Sequence, residues 1–307
     1  MTRFLVTGAS GLLGLNFALQ AAERHDVAAV VYRHRLNQVP FDVFSYDLSH
    51  PGQAGAMLEQ TRPDVIVHCA ALANLDECES NPALARRLNT DLPAELAQEA
   101  RRRGIYMLHF STDAVFDGQK GDYREEDPAL PVNLYGETKL AGEQAVRTEN
   151  PDALILRVNF YGWSLFGKRS LAEWFFYNLQ AGRQMKGFVD VLFCPLQVND
   201  MIDILLGLVE RRLSGLYHVF SPESLSKYQF GVNIARQFGF DEGLIQPTSW
   251  NEGNLQAVRA SNLTLSSQRM AEILGHPLPG QAGGMQRFYQ LYQQGYPQRV
   301  LAMATGA

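Results

Sequence analysis

The sequence predicts an α/β fold: a doubly wound parallel sheet followed by a smaller mixed α/β lobe. Three observations carry this. Short runs rich in Val, Ile and Leu alternate with longer amphipathic or Ala-rich stretches from the first residues onward, and a glycine-rich turn closes the first run. After about residue 160 helical patterns dominate. Strand and helix in regular alternation imply right-handed crossovers, hence a parallel sheet with helices on both faces.

Taken in order, "RFLVTG" (3–8), "VAAVVY" (27–32), "DVFSYD" (42–47), "DVIVHCA" (64–70), "IYMLHFS" (105–111) and "ALILRVN" (153–159) read as buried strands. Helices are expected over 12–24, 52–61, 82–103 and 134–149. In the second half helices are expected near 170–181, 200–212, 226–238 and 281–294, with a short strand at "GLYHVF" (215–220). At 307 residues the chain has room for two domains of roughly 150 residues each. Residues 1–160 read as a Rossmann-type NAD(P)-binding domain and 161–307 mainly as a substrate-binding lobe, with a return to the first domain near 190–210. The ligand cleft is expected between them, at the carboxyl ends of the parallel strands.

Composition narrows the function classes. The net charge of −5 argues against a nucleic-acid or anionic-membrane binder, because phosphate contacts need an excess of Lys and Arg. The basic runs Arg101-Arg102-Arg103 and Arg211-Arg212 fall at helix ends, where they suit the helix dipole. Three cysteines, Cys69, Cys78 and Cys194, fit neither a disulfide framework nor a zinc site, so the expected setting is a reducing cytoplasm. The opening "MTRFLVTGASGLLG" reads better as strand, turn and helix than as a signal peptide, and no apolar run approaches the ~18 residues of a membrane span.

"VTGASGLLG" places Gly8, Gly11 and Gly14 at the first strand-to-helix junction. One glycine serves the tight turn, a second lets backbone approach a pyrophosphate, and a third lets helix pack on strand. Gly8, Ser10, Gly11, Leu12, Leu13 and Gly14 are therefore candidate cofactor positions. At the end of the second strand a carboxylate would receive a ribose 2′-hydroxyl, whereas arginine accommodates a 2′-phosphate. Here stand Arg33, His34 and Arg35, which favours NADP(H) while leaving NAD(H) open. Asp47 and Leu48 close the third strand where an adenine ring would lie, and Ala70, Ala71 and Leu72 end the fourth with residues that let backbone approach the cofactor.

"VNLYGETKLAGE" puts Tyr135 and Lys139 four residues apart on one helix face. A free phenol has a pKa of ~10, and a neighbouring ammonium favours the phenolate, so Lys139 is expected to bring Tyr135 toward acidity near neutral pH. Such a phenol can protonate the alkoxide that develops when hydride reaches a ketone. "HFSTDAVFDG" adds Ser111 and Thr112 at the end of the fifth strand, where a hydroxyl can donate to the substrate carbonyl.

Together these stretches, with "RPDVIVHCAALANLDECESNP", "LNTDLPAELA", "LRVNFYG" and "GLYHVFSPESLSKYQF", resemble the extended short-chain dehydrogenase/reductase superfamily and, within it, the dTDP-4-dehydrorhamnose reductase family. The resemblance implies that Thr112, Tyr135 and Lys139 are the catalytic triad, that Lys139 also holds the nicotinamide ribose, and that Asn159 lies near the nicotinamide end. It implies reduction, by NADPH or NADH, of the 4-keto group of a deoxysugar attached to dTDP, and it is compatible with a homodimer.

The chain departs from that family on the substrate side. Ala114 stands where an aromatic residue is common, and Ala73 where a polar group is frequent. "FCPLQVND" keeps Pro195 and Asp200 but has Leu196 in place of threonine, and no proline follows Arg259. Without an acidic pair after Thr112, a sugar-nucleotide dehydratase is not expected. The resemblance leaves two alternatives: a nucleotide-sugar epimerase, and a non-catalytic NADP-binding subunit like the regulatory subunit of methionine adenosyltransferase. Trp174, Phe175 and Phe176 are expected as the buried face of a helix rather than a partner surface. His68 and Cys69 point to opposite sides of a strand, His109 reads as a packed residue, and Asp76, Glu77 and Glu79 suit a solvated helix start, so no metal site is expected.

Overall fold

The computed structural model describes residues 1–250 and 260–304. Its centre is a sheet of seven strands: β1 (Arg3–Thr7), β2 (Asp26–Val31), β3 (Asp42–Ser45), β4 (Val65–His68), β5 (Tyr106–Thr112), β6 (Leu154–Val158) and β7 (Gly215–Val219). They lie in the order β7-β6-β5-β4-β1-β2-β3, and every pairing is parallel. The order reverses between β1 and β4, and there the crevice opens.

Because successive side chains alternate across a strand, the two faces can be read directly. Phe4, Val6, Val27, Ala29, Val31, Val65, Val67, Leu108 and Phe110 join one core. It is covered by α1 (Leu12–Ala21) and α6 (Val198–Arg211). Leu5, Ala28, Val30, Ile66, Met107 and Ile155 join the other, beneath α2 (Gln53–Thr61), α3 (Leu92–Arg103) and α4 (Leu134–Glu149). By the same alternation Thr7, His68, His109, Ser111 and Arg157 fall on the α4 side.

Two elements differ from expectation. The strand at 215–219, anticipated in the second lobe, pairs with β6 as the edge of the main sheet. The intervening α6 supplies the crossover, so the chain re-enters the first core before leaving it again. The expected helix over 82–103 is interrupted by a π turn at Arg87–Asp91 between Pro82–Arg86 and α3. Pro93 has no N–H to donate to the Asn89 carbonyl. Helix α4 crosses closely there: a Cβ on Gly142 would lie 2.1 Å from Asn89 O.

The remaining chain forms α5 (Leu171–Gln180), α7 (Lys227–Phe238) and α8 (Gln281–Gln293) around small sheets, one of which pairs Met185–Phe188 with Ile245–Thr248. Trp163 is fully buried, stacked 4.1 Å from Phe288, and donates to its carbonyl at 3.1 Å. Phe175 and Phe176 are 1% exposed but Trp174 is 44% exposed, so the expected three-residue buried face contains two. Leu196, counted among substrate-side departures, is instead packed in the first core, its N–H donating to Asn159 O at 2.9 Å. Arg259 lies outside the described residues.

A buried ion pair joins α4 to the sheet. Glu143 accepts from Arg157 Nε at 2.9 Å and Nη2 at 2.8 Å, and Arg157 also lies over the Phe116 ring. Removing Glu143 leaves a buried guanidinium uncompensated, so Glu143→Ala is expected to cost about 3–5 kcal/mol of stability. Urea unfolding should show a lower midpoint at unchanged slope.

Candidate active site

The glycine turn is built so that no side chain fits. Gly8 sits at φ +66°, and a Cβ there would lie 2.7 Å from Ala70 N and 2.8 Å from Ala70 Cα. A Cβ on Gly14 would lie 2.4 Å from Gly8 O. The first turn of α1 has no acidic residue and no side-chain cap, so its N–H groups face the cleft as an anion site. The cradle therefore fits a dinucleotide pyrophosphate.

Gly8, Gly11, Leu12, Leu13 and Gly14 line one cleft together with Ala70, Ala71, Ala73, Thr112, Tyr135 and Lys139. Ser10 is half-buried in the same turn. Arg33, His34 and Arg35 are exposed just past β2, with the His34 ring 4.7 Å from that of Phe166. Asp47 accepts from Ser49 N at 3.0 Å and Oγ at 2.6 Å. At two expected cofactor positions the side chain packs in a core. Leu48 packs in the second core. Leu72 is buried with Cys78 and Ala85, its N–H held by Asn89 Oδ1 at 2.9 Å.

Tyr135 stands on α4, which is started by Asn133, whose side chain accepts from Gly136 N at 2.9 Å. Its phenol shares a cavity wall with the Thr112 hydroxyl at the end of β5. Lys139, one turn on, is buried and donates to Phe110 O at 2.6 Å. Burial pulls the Lys139 pKa down to about 8, with Glu143 and then Cys69 acting the other way.

The expected acidification of Tyr135 by Lys139 is not seen. The ammonium is turned to the strand carbonyl, and burial instead holds the phenol above the ordinary tyrosine range; the nearby Thr112 hydroxyl lowers it, while the Asp113 charge raises it.

Thr112 and Tyr135 also line a second cavity, with Asp113, Ala114, Asn159, Val191, Phe193 and Lys227. Asn159, expected near the nicotinamide end, faces this cavity: its Nδ2 donates to Asp113 Oδ2 at 2.6 Å. Ala114 lines it too, where an aromatic ring would narrow it. Among the weaker candidates, His68 and His109 stack 5.5 Å apart in the sheet, and burial lowers both pKa values, that of His68 to about 3. Glu79 accepts from Leu134 N at 2.9 Å, tying its helix to α4.

Sequence reasoning missed three participants. Asn89 grips Leu72 through N–H and C=O and donates to Thr138 Oγ1 at 3.1 Å, joining the cofactor edge to α4. An amide in the apolar stripe of a helix was the available signal. The other two, Lys227 on the second cavity and Arg169 on the first cleft, had none, because their neighbours come from distant segments.

Comparison with known proteins agrees with this geometry. The family described as "RmlD substrate binding domain" matches residues 2–294. The chain belongs to that family. It is 33% identical over 284 residues to the probable low-salt glycan biosynthesis reductase Agl14 of Haloferax volcanii, covering 89% of this chain and 93% of that one. It is 32% identical to the methionine adenosyltransferase 2 subunit beta of Pongo abelii, covering 89% and 82%. Among solved structures, the dTDP-4-dehydrorhamnose reductase of Bacillus anthracis in complex with NADP superposes with a TM-score of 0.81 at 25% identity, covering 94% of this chain and 99% of that one. The family's fold is thus the sheet and crevice described above.

Proposed function

We propose that this protein is an NAD(P)H-dependent reductase of the 4-keto group of a nucleotide-linked deoxysugar, resembling dTDP-4-dehydrorhamnose reductase. One observation carries the reading: Thr112 and Tyr135 together form a wall common to the glycine-turn cleft and the second cavity. A keto group in that cavity meets both hydroxyls beside the cofactor cleft.

When bound, the dinucleotide supplies hydride. Gly8, Gly11, Gly14 and the α1 N-terminus hold its pyrophosphate, and Lys139 binds its ribose hydroxyls. Tyr135 gives its proton to the oxygen that was the carbonyl. A phenol whose pKa lies above the ordinary range keeps that proton at neutral pH, which is what an acid needs before the reaction. Thr112 orients the carbonyl and donates to the developing negative charge. Val191, Phe193 and Leu263 give this cavity an apolar wall. The free cysteines, two of them buried, suit a reducing cytoplasm.

The test is NADPH oxidation with a panel of 4-keto sugar nucleotides, including dTDP-4-dehydrorhamnose. Stoichiometric oxidation is expected; interconversion of sugars without net oxidation would mean an epimerase. The likeness to the methionine adenosyltransferase subunit favours a second reading, a nucleotide-binding regulatory subunit. NADPH binding without turnover on any substrate, together with retention of a methionine adenosyltransferase in a pull-down, would support it.

The cofactor preference rests on the exposed pair after β2. Arg33→Ala with Arg35→Ala is expected to weaken NADPH at least about ten-fold more than NADH, because a 2′-phosphate loses charge-assisted partners that a 2′-hydroxyl never had. Fluorescence titration of both cofactors checks this, and equal weakening would refute the preference.

A further inference from the structure

The Thr112 hydroxyl has one hydrogen and three polar neighbours. Ala114 N–H donates to it at 3.2 Å, so that contact uses a lone pair. The phenol of Tyr135 is a second neighbour, and Asp113 Oδ1, at 2.9 Å, is the third. A carboxylate can only accept, so an ionised Asp113 takes the single hydrogen. Thr112 would then have none to give to a carbonyl in the cavity. With a proton on Oδ1 the direction reverses. The acid donates to Thr112, its Oδ2 still accepts from Asn159 Nδ2 at 2.6 Å, and the threonine hydrogen is released toward the Tyr135 oxygen and the cavity that both residues line.

We propose that Asp113 is a positioning residue that works as the neutral acid, and that its proton turns the Thr112 hydroxyl toward the reacting carbonyl. The inference rests on the reductase reading of this site.

The surroundings favour that state. Asp113 is buried, and burial holds its pKa above the ordinary carboxylate value. Acting the other way are bonds from Asn159 and Thr112, the charge of Lys227 at the start of α7, and a bond from Ala114 N. The other titratable groups that face it are Tyr135 on α4 and Cys194 ahead of α6, and neither brings positive charge. A sugar nucleotide entering the cavity adds negative charge, which further favours the neutral acid.

The experiment compares Asp113→Asn and Asp113→Ala with the unaltered protein over roughly pH 5 to 9. Asparagine can donate to Thr112 while its oxygen accepts from Asn159, so it should keep turnover within about ten-fold, whereas alanine should lose about a hundred-fold or more. The active form is the protonated one, so the unaltered protein loses kcat/KM as pH rises through the Asp113 pKa. The ratio of Asp113→Asn to unaltered protein should therefore rise with pH; any limb from Lys139 is common to both and cancels. An asparagine variant as impaired as alanine, or a ratio flat with pH, would overturn the proposal. An infrared difference spectrum between unaltered protein and Asp113→Asn needs no substrate. A protonated-carboxyl stretching band at about pH 6 supports the proposal, and its absence refutes it. Failure of the unaltered protein to turn over any 4-keto sugar nucleotide would count against the reductase reading alone, and the infrared band would still decide the state of Asp113.

Discussion

Tyr135→Phe is expected to lower kcat by at least ~10², with the dissociation constant for NADPH changed by less than about three-fold. The ring stays and only the phenol oxygen goes, so packing against Leu72 and Cys78 is kept while the proton donor is lost. The hydroxyl of Thr112 cannot substitute, because an alcohol so placed polarises the carbonyl without readily giving up its proton. Fluorescence titration for binding and single-turnover kinetics for chemistry separate the two effects. Unchanged turnover would remove Tyr135 from the reaction and return the site to a binding role. A parallel loss of cofactor affinity would mean that the phenol holds the nucleotide rather than the proton.

Gly8→Ala is expected to abolish measurable cofactor binding and to destabilise the fold by about 2–5 kcal/mol. Two costs add. A left-handed residue with a Cβ costs about 1–2 kcal/mol, and the new atom would meet Ala70 N, Ala70 Cα and Cys69 C, all closer than 3.0 Å. Those are backbone atoms of the chain leaving β4, which cannot turn aside as a flexible side chain would. Relief requires the turn to lift from β4, opening the cradle that the pyrophosphate needs. Gly283→Ala is the control. That residue lies in α8 with nothing within 4 Å of its would-be Cβ, so alanine should be neutral or stabilising by about 0.5–1 kcal/mol. Thermal unfolding and NADPH titration on both variants check the pair, and equal melting temperatures would show that the turn tolerates a Cβ.

Much of this site was legible because its parts are local. The glycine turn announces itself by three residues within one strand-to-helix junction. Tyr135 and Lys139 share a helix face by spacing alone. Where a side chain's role depended on a distant partner, expectation and structure parted. Lys139 was read as acting on the nearest phenol in sequence, yet its long stem reaches the carbonyl of Phe110, 29 positions away. Leu196 looked like a substrate contact because of its segment, but a two-residue strand paired with Phe160–Tyr161 carries it into the core.

The sequence by itself determined the strands, the glycine turn and the pairing of Tyr135 with Lys139 on one helix face, since each follows from residue type and short-range periodicity. Only the tertiary structure decided that β7 completes the main sheet, that Asn89 locks the cofactor edge to α4, and that Asp113 is bonded to both Thr112 and Asn159. The physical reason is the same in each case. Hydrogen-bond direction and the cost of burying charge depend on which groups share a site, and those groups come together from segments tens of residues apart.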